Sequence, residues 1–107
     1  MNDKDFLPAG TIVKLRLQDQ LYMIVGHLPV NKIGENLLKI RKYCAVKFPF
    51  GFEGDEEITL FNDDVIKRVI FNGYKDAEYD KYNERLVRFA TTIKKKGEEA
   101  ENEQIQW

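Results

Sequence analysis

Apolar and polar residues alternate through Val13, Lys14, Leu15, Arg16 and Leu17. That period of two marks a strand with one wet face, so Val13, Leu15 and Leu17 are expected inside and Lys14 and Arg16 outside. The stretch Leu21–Val25 is apolar at every position and reads as a more central strand. Between the two, Gln18-Asp19-Gln20 is short and polar enough to close a hairpin. Pro8 and Gly10 set the entry turn. Gly26-His27-Leu28-Pro29 ends the second strand, because Pro cannot donate to a ladder. Residues 30–38, with Asn31 and Gly34-Glu35-Asn36, read as a loop whose Ile33, Leu37 and Leu38 fold back onto the core.

A third strand is expected from about Ile40 to Phe48. Ile40, Cys44, Val46 and Phe48 share one face of it, with Lys42 the exception. Arg41, Tyr43, Ala45 and Lys47 share the other. After Phe48-Pro49-Phe50-Gly51-Phe52 and the acidic loop Glu53–Glu57, Ile58–Phe61 forms a short fourth strand. Asn62-Asp63-Asp64 reads as an N-cap and first-turn acids of one helical turn running through Ile66. A fifth strand, Arg68–Phe71, stops at the turn signal Asn72-Gly73. From Asp76, a candidate cap, the period changes. Tyr79, Tyr82, Leu86, Phe89 and Ile93 recur at steps of three and four, the stripe of an amphipathic helix. Lys94-Lys95-Lys96 suits its negative end, and Gly97 suits the C′ position.

The pattern therefore predicts an α+β domain: a small bent antiparallel sheet, or an SH3-like barrel, of about five strands, followed by a C-terminal amphipathic helix. Residues 1–6 form a flexible N-terminus, 7–96 the single domain and 97–107 an acidic mobile tail. Val13, Leu15, Leu21, Met23, Val25, Val46 and Val69 are the expected sheet core.

A chain of 107 residues is enough for one such core. Its net charge of −1 supplies no global field for nucleic acid or an acidic membrane. The basic residues Lys39, Arg41, Lys42 and Lys47 adjoin an acidic loop, which argues against phosphate binding. Met1–Asp5 is polar and carries no signal peptide. No apolar run reaches the length of a membrane span. A single cysteine, Cys44, excludes an internal disulfide and is compatible with a cytoplasmic location.

The chemistry-bearing residues are sparse. Cys44 and His27 are the only Cys and the only His, and a thiol–imidazole pair needs contact and a third group to orient the base. Cys44 lies on an apolar strand face, where a free thiol behaves as a small hydrophobe. His27 reads as a surface or turn residue. Glu53, Asp55, Glu56 and Glu57 lack the spacing of a calcium loop. No phosphate loop or zinc cluster is present. The sequence thus implies no catalytic residue, no metal site and no cofactor.

Phe48, Phe50 and Phe52 have two readings. Aromatic residues beside Pro and Gly on a loop form binding hot spots. They also serve as a lid over the open end of a small core. In the first reading Phe50 and Phe52 join Tyr43, with Lys42 and Lys47 at the rim, in a surface for a protein partner. Phe48 is expected to point inward with Val46.

Three stretches resemble a family of small bacterial proteins, domain of unknown function 4176. They are Leu7–Val13, Leu21–Gly26 and Phe61–Tyr74, and Phe48-Pro49-Phe50-Gly51 is similar to the family's aromatic-Pro-x-Gly segment. The resemblance spans about residues 7–90. Gln18-Asp19-Gln20 stands where the family has a glycine-rich turn, and Lys42 and Ala45 stand in place of an acid and a glycine. Family members occur in Gram-positive bacteria beside type VII secretion components and LXG-type toxins. The resemblance implies a non-enzymatic accessory protein, chaperone-like or targeting, that binds a secreted toxin or its secretion machinery. The alternative is an immunity protein that neutralises a cognate toxin. A nucleic-acid-binding barrel and an enzyme using Cys44 stand further off.

Overall fold

The computed structural model describes residues 5–32, 37–54, 58–99 and 104–106. In chain order the elements are β1 (Ile12–Leu15), β2 (Leu21–His27), β3 (Val30–Lys32), β4 (Leu37–Ile40), β5 (Tyr43–Phe48), β6 (Thr59–Phe61), a 3₁₀ turn (Asp63–Val65), β7 (Ile66–Phe71), α1 (Ala77–Glu99) and β8 (Gln104–Gln106). The main sheet is antiparallel and open, in the order β6-β5-β2-β1-β7. The fold is α+β, and the barrel alternative does not hold. The apolar strand β2 is indeed central, bonded to β1 and β5.

Two strands emerge where a loop is expected. Leu28 adopts a left-handed φ of 51°. Beyond it the β2–β5 ribbon continues through Leu28 N–H to the Lys42 carbonyl, 2.9 Å, and Arg41 N–H to the Pro29 carbonyl, 3.3 Å. It then becomes the β3–β4 pair, to which β8 adds in parallel. The expected third strand is thus split at Arg41–Lys42 into β4 and β5. Gln104–Gln106, expected in a mobile tail, is the third strand of this small sheet. Ile33 and the acidic residues 55–57 lie outside the described residues.

Strand register decides what is inside. Val13 faces Tyr22 and Ile24 faces Ala45, and these four point towards α1. With Phe6, Leu15, Leu28, Ile40, Tyr43, Phe61, Leu86 and Ala90 they form the core. Val13, Leu15 and Val46 are buried as expected. Leu21 and Met23 are only half-buried, while Val25 and Val69 are exposed. A strand apolar on both faces carries no alternation to fix its orientation, and the parity chosen is that of Tyr22 and Ile24. Leu17 leaves the sheet altogether. The Arg16 N–H bonds the Val65 carbonyl at 2.8 Å, the chain turns, and Leu17 sits fully exposed at φ 62°.

Asp76 caps α1, its carboxylate accepting the Tyr79 N–H at 2.9 Å. Gly97 is not the C′ residue, since the helix runs on to Glu99. The inward stripe keeps Tyr79, Leu86 and Ile93 of the predicted one but takes Asn83 and Ala90 in place of Tyr82 and Phe89, which are exposed; Leu86 and Ala90 are buried and the other three half-buried. Gly73, just before the helix, is buried, and nothing larger fits there. A Cβ there would stand 2.7 Å from the Ala9 carbonyl oxygen and 2.9 Å from the Thr11 nitrogen. Its N–H also donates to Thr11 Oγ1 at 3.0 Å. Gly73→Ala should therefore cost about 2 kcal/mol through backbone displacement, read as a lower urea midpoint at unchanged slope.

Candidate functional site

The residues expected at a partner surface divide between interior and exterior. Lys42 and Tyr43 are 1% and 0% exposed, so neither touches a partner. Tyr43 points to the helix side of the sheet, opposite His27. Lys42 precedes β5, and its N–H is fixed by Asn62 Oδ1 at 2.8 Å. Asn62 therefore acts here rather than as a side-chain cap for the 3₁₀ turn. The ammonium of Lys42 reaches Asp63 Oδ2 at 2.6 Å and the Asp5 carbonyl at 2.9 Å, and lies 4.7 Å from the Phe6 ring centre. A lysine is buried only when its charge is met this way.

Those contacts also correct the expected N-terminal boundary. Phe6 is 1% exposed and belongs to the core, so the flexible segment does not extend through it. Residues Asp5–Leu7 lie between the sheet and α1, held by side chains at each backbone polar group from the Asp5 carbonyl onward. Asn83 Oδ1 accepts the Phe6 N–H at 2.8 Å, and the Tyr79 hydroxyl donates to the Phe6 carbonyl. The Leu7 N–H donates to the Tyr43 hydroxyl at 3.0 Å. The Leu7 carbonyl accepts from His27 Nε2 at 2.6 Å, which assigns the ring proton to that nitrogen. Nδ1 then accepts from the Tyr82 hydroxyl at 3.2 Å.

His27 is thus a clamp residue and not a loose turn residue. Burial lowers its pKa; the Leu7 carbonyl opposes that shift and the nearby Lys42 ammonium reinforces it. The Tyr43 and Tyr82 rings pack edge-on to the imidazole, Asp76 and Glu78 line the same depression as His27, and burial pushes the Tyr43 pKa well up. A folded pKa below the unfolded value means that the unfolded chain binds more protons in the window just under 6.5. Stability from this group is present above that window and lost as pH falls through it to the folded pKa. Between about pH 7.5 and about pH 5.5, the parent should lose more melting temperature than His27→Gln. Thermal melts of both proteins across that range check it.

The other face of the sheet is apolar as well. Phe71 lies opposite Ile12, Ile12 opposite Met23, and Met23 opposite Val46, so one row crosses β7, β1, β2 and β5. The neighbouring row runs Arg68, Lys14, Leu21 and Phe48. Phe48 shares a face with Val46 as expected, but that face is turned away from the helix-side core cluster, and Phe48 is partly exposed while Val46 is buried. In the turn after β5, closed by Gly51 N–H to the Lys47 carbonyl at 2.8 Å, Phe50 and Phe52 are 62% and 63% exposed. Phe71 is 59% exposed. Lys47 is half-buried and opposite Tyr22, on the helix side of β5. Sequence reasoning missed Phe71 and Ile12; the exposed apolar run Val69-Ile70-Phe71 was the available signal.

Cys44 belongs to this outer face, opposite Gly26, whereas His27 turns to the helix side. The two do not form a thiol–imidazole pair. Burial raises the Cys44 pKa, which lowers its thiolate fraction. Among the described residues no group of three or more His, Cys, Asp or Glu is placed to hold a metal ion. No helix among them is long and apolar enough to cross a membrane.

An open antiparallel sheet, helix-backed on one face and carrying an apolar row on the other, defines a small α+β domain. The family model of Domain of unknown function (DUF4176) matches residues 6–82, and the chain belongs to that family. The match begins at Phe6 and takes in the whole main sheet and the first turns of α1. No curated protein and no solved structure matches the chain.

Proposed function

We propose that this protein is a non-enzymatic accessory protein, chaperone-like or targeting, and that its outer sheet face binds a secreted toxin or a component of a type VII secretion system. The observations that carry the reading are the exposure of Phe50 and Phe52 in the turn after β5, and of Phe71 at the end of the outer-face row whose Ile12 and Met23 are half-buried. Exposed apolar side chains flanked by charge, here Lys14 and Arg68 in the neighbouring row, mark protein-binding sites. The resemblance to proteins found beside LXG-type toxins supplies the partner class.

The test is a binding titration against the LXG-type toxin encoded nearest to this gene. Phe50→Ala removes a central aromatic contact, worth about 2 kcal/mol or roughly thirtyfold in Kd. The melting temperature should barely move, since Phe50 lies outside the core. Equal binding by parent and variant would place the contact elsewhere. Loss of the toxin's activity on binding would assign the immunity role instead.

A further inference from the structure

We propose that the channel between the main sheet and α1 is a peptide-binding groove, occupied in cis by residues Asp5–Leu7. Its ligand in trans is an extended partner segment with a phenylalanine at the Phe6 position and a carboxylate just before it. This site is separate from the outer sheet face.

The argument rests on how the segment is held. Asp5–Leu7 belongs to no strand or helix, yet its main chain is bonded from the Asp5 carbonyl to the Leu7 carbonyl. Every partner is a side chain, drawn from β2 (His27), the β4–β5 junction (Lys42), β5 (Tyr43) and α1 (Tyr79, Asn83). Strands normally satisfy main-chain groups through a ladder, and helices satisfy them internally. Side-chain bonds alone hold these five consecutive main-chain groups, so the segment is docked on the sheet and helix without belonging to either.

Specificity has its own elements. The Phe6 ring packs edge-on to His27 and Tyr43, with centroids 5.8 and 6.2 Å away, and sits under the Lys42 ammonium. Asn83 Nδ2 donates to the Asp5 carboxylate at 2.9 Å, which favours an acidic side chain at the preceding position. The furrow continues past the segment. His27, Tyr74, Tyr79 and Tyr82, with the carboxylates Asp76 and Glu78, line a depression of about 360 Å³ at its Pro8 end. A longer segment would find further surface there.

The hinge is short. Pro8 leads to Gly10 at φ 92°, whose N–H is tied to the Ile24 carbonyl at 2.8 Å. The sheet pairing runs from Gly10 onward, and the segment before it joins the entry to β1 through the Thr11 N–H to Pro8 carbonyl bond at 3.2 Å, so no strand pairing depends on Asp5–Leu7. In cis it competes at an effective concentration on the order of millimolar. A trans ligand must therefore exceed it by additional contacts, and the N-terminal segment acts as a built-in competitor.

The experiment uses the full chain and a fluorescein-labelled peptide with the sequence of residues 2–10. Phe6→Leu keeps an apolar side chain in the core but loses the ring contacts, so the cis segment competes less well. By anisotropy the peptide should bind Phe6→Leu about tenfold more tightly than the parent. A peptide with Ala in place of its Phe should bind neither protein. A second variant carries a protease site inserted after the exposed Ala9. Once cut, its segment should exchange for the labelled peptide. Equal weak binding to parent and Phe6→Leu, or a cut segment that never exchanges, would overturn the proposal and make Asp5–Leu7 a fixed part of the core. Peptide binding that appears only with swapped dimers, seen by light scattering, would overturn the partner assignment in favour of a second copy.

Discussion

Phe6→Ala should destabilise the fold by about 3–5 kcal/mol, the range for emptying a buried aromatic site. The ring is 1% exposed and touches His27, Tyr43 and the Lys42 ammonium together. Its loss opens a cavity at the seam where sheet, N-terminal segment and helix meet. The Asp5 and Leu7 main-chain bonds then hold a segment without its anchor. For a domain of this size about 1 kcal/mol shifts the melting point by about 4–8 °C, so a fall of at least about 12 °C is expected. Calorimetry of parent and variant reads it. A variant melting within a few degrees of the parent would show that the segment is not part of the packed core.

Asp63→Leu should cost about 3 kcal/mol for a different reason. It leaves the Lys42 ammonium, 1% exposed, with the Asp5 carbonyl as its hydrogen-bond acceptor among the described residues. Removing one partner of a buried ion pair costs about 3–5 kcal/mol, and the partial exposure of Asp63, 32%, places the expectation at the low end. The diagnostic is the double variant Lys42→Met/Asp63→Leu. Replacing both partners by apolar groups is often near neutral, so the double variant should recover much of the loss. Denaturant melts of the two singles and the double give the coupling. Additive losses would mean that the pair is not what pays for burying Lys42.

Local pattern made much of this fold legible. The apolar run Leu21–Val25 marks the central strand, and the change of period at Asp76 marks the helix. Periodicity did not reveal which side of the sheet the helix covers, because β2 and β5 are apolar on both faces. The answer depends on Tyr22, Ile24 and Tyr43 meeting Leu86 and Ala90, contacts distant in sequence. The helix stripe slipped for a related reason. Hydrophobicity favours Tyr82 and Phe89, but Asn83 faces the N-terminal segment and small Ala90 lets the helix approach.

Lys42 shows the limit most clearly. A lysine beside Tyr43 reads as the rim of a surface, since its burial depends on Asp63 and Asp5, both remote along the chain. The outer face was half legible. Phe50 and Phe52 stand out beside Pro49 and Gly51, whereas Phe71 joins Ile12 only through a bulged β1–β7 register. The β3–β4 pair was hidden because Asn31 and Gly34-Glu35-Asn36 carry turn composition, while its existence follows from the ribbon continuing past Leu28.

The most direct test of the outer face as the partner surface is amide hydrogen exchange on the complex with the LXG-type toxin. Partner binding there should slow exchange across Lys47–Phe52 and Val69–Phe71 while leaving the exposed helix side around Tyr82, Arg85 and Phe89 unchanged. Protection confined to that helix side, with Lys47–Phe52 and Val69–Phe71 exchanging as in the free protein, would contradict it.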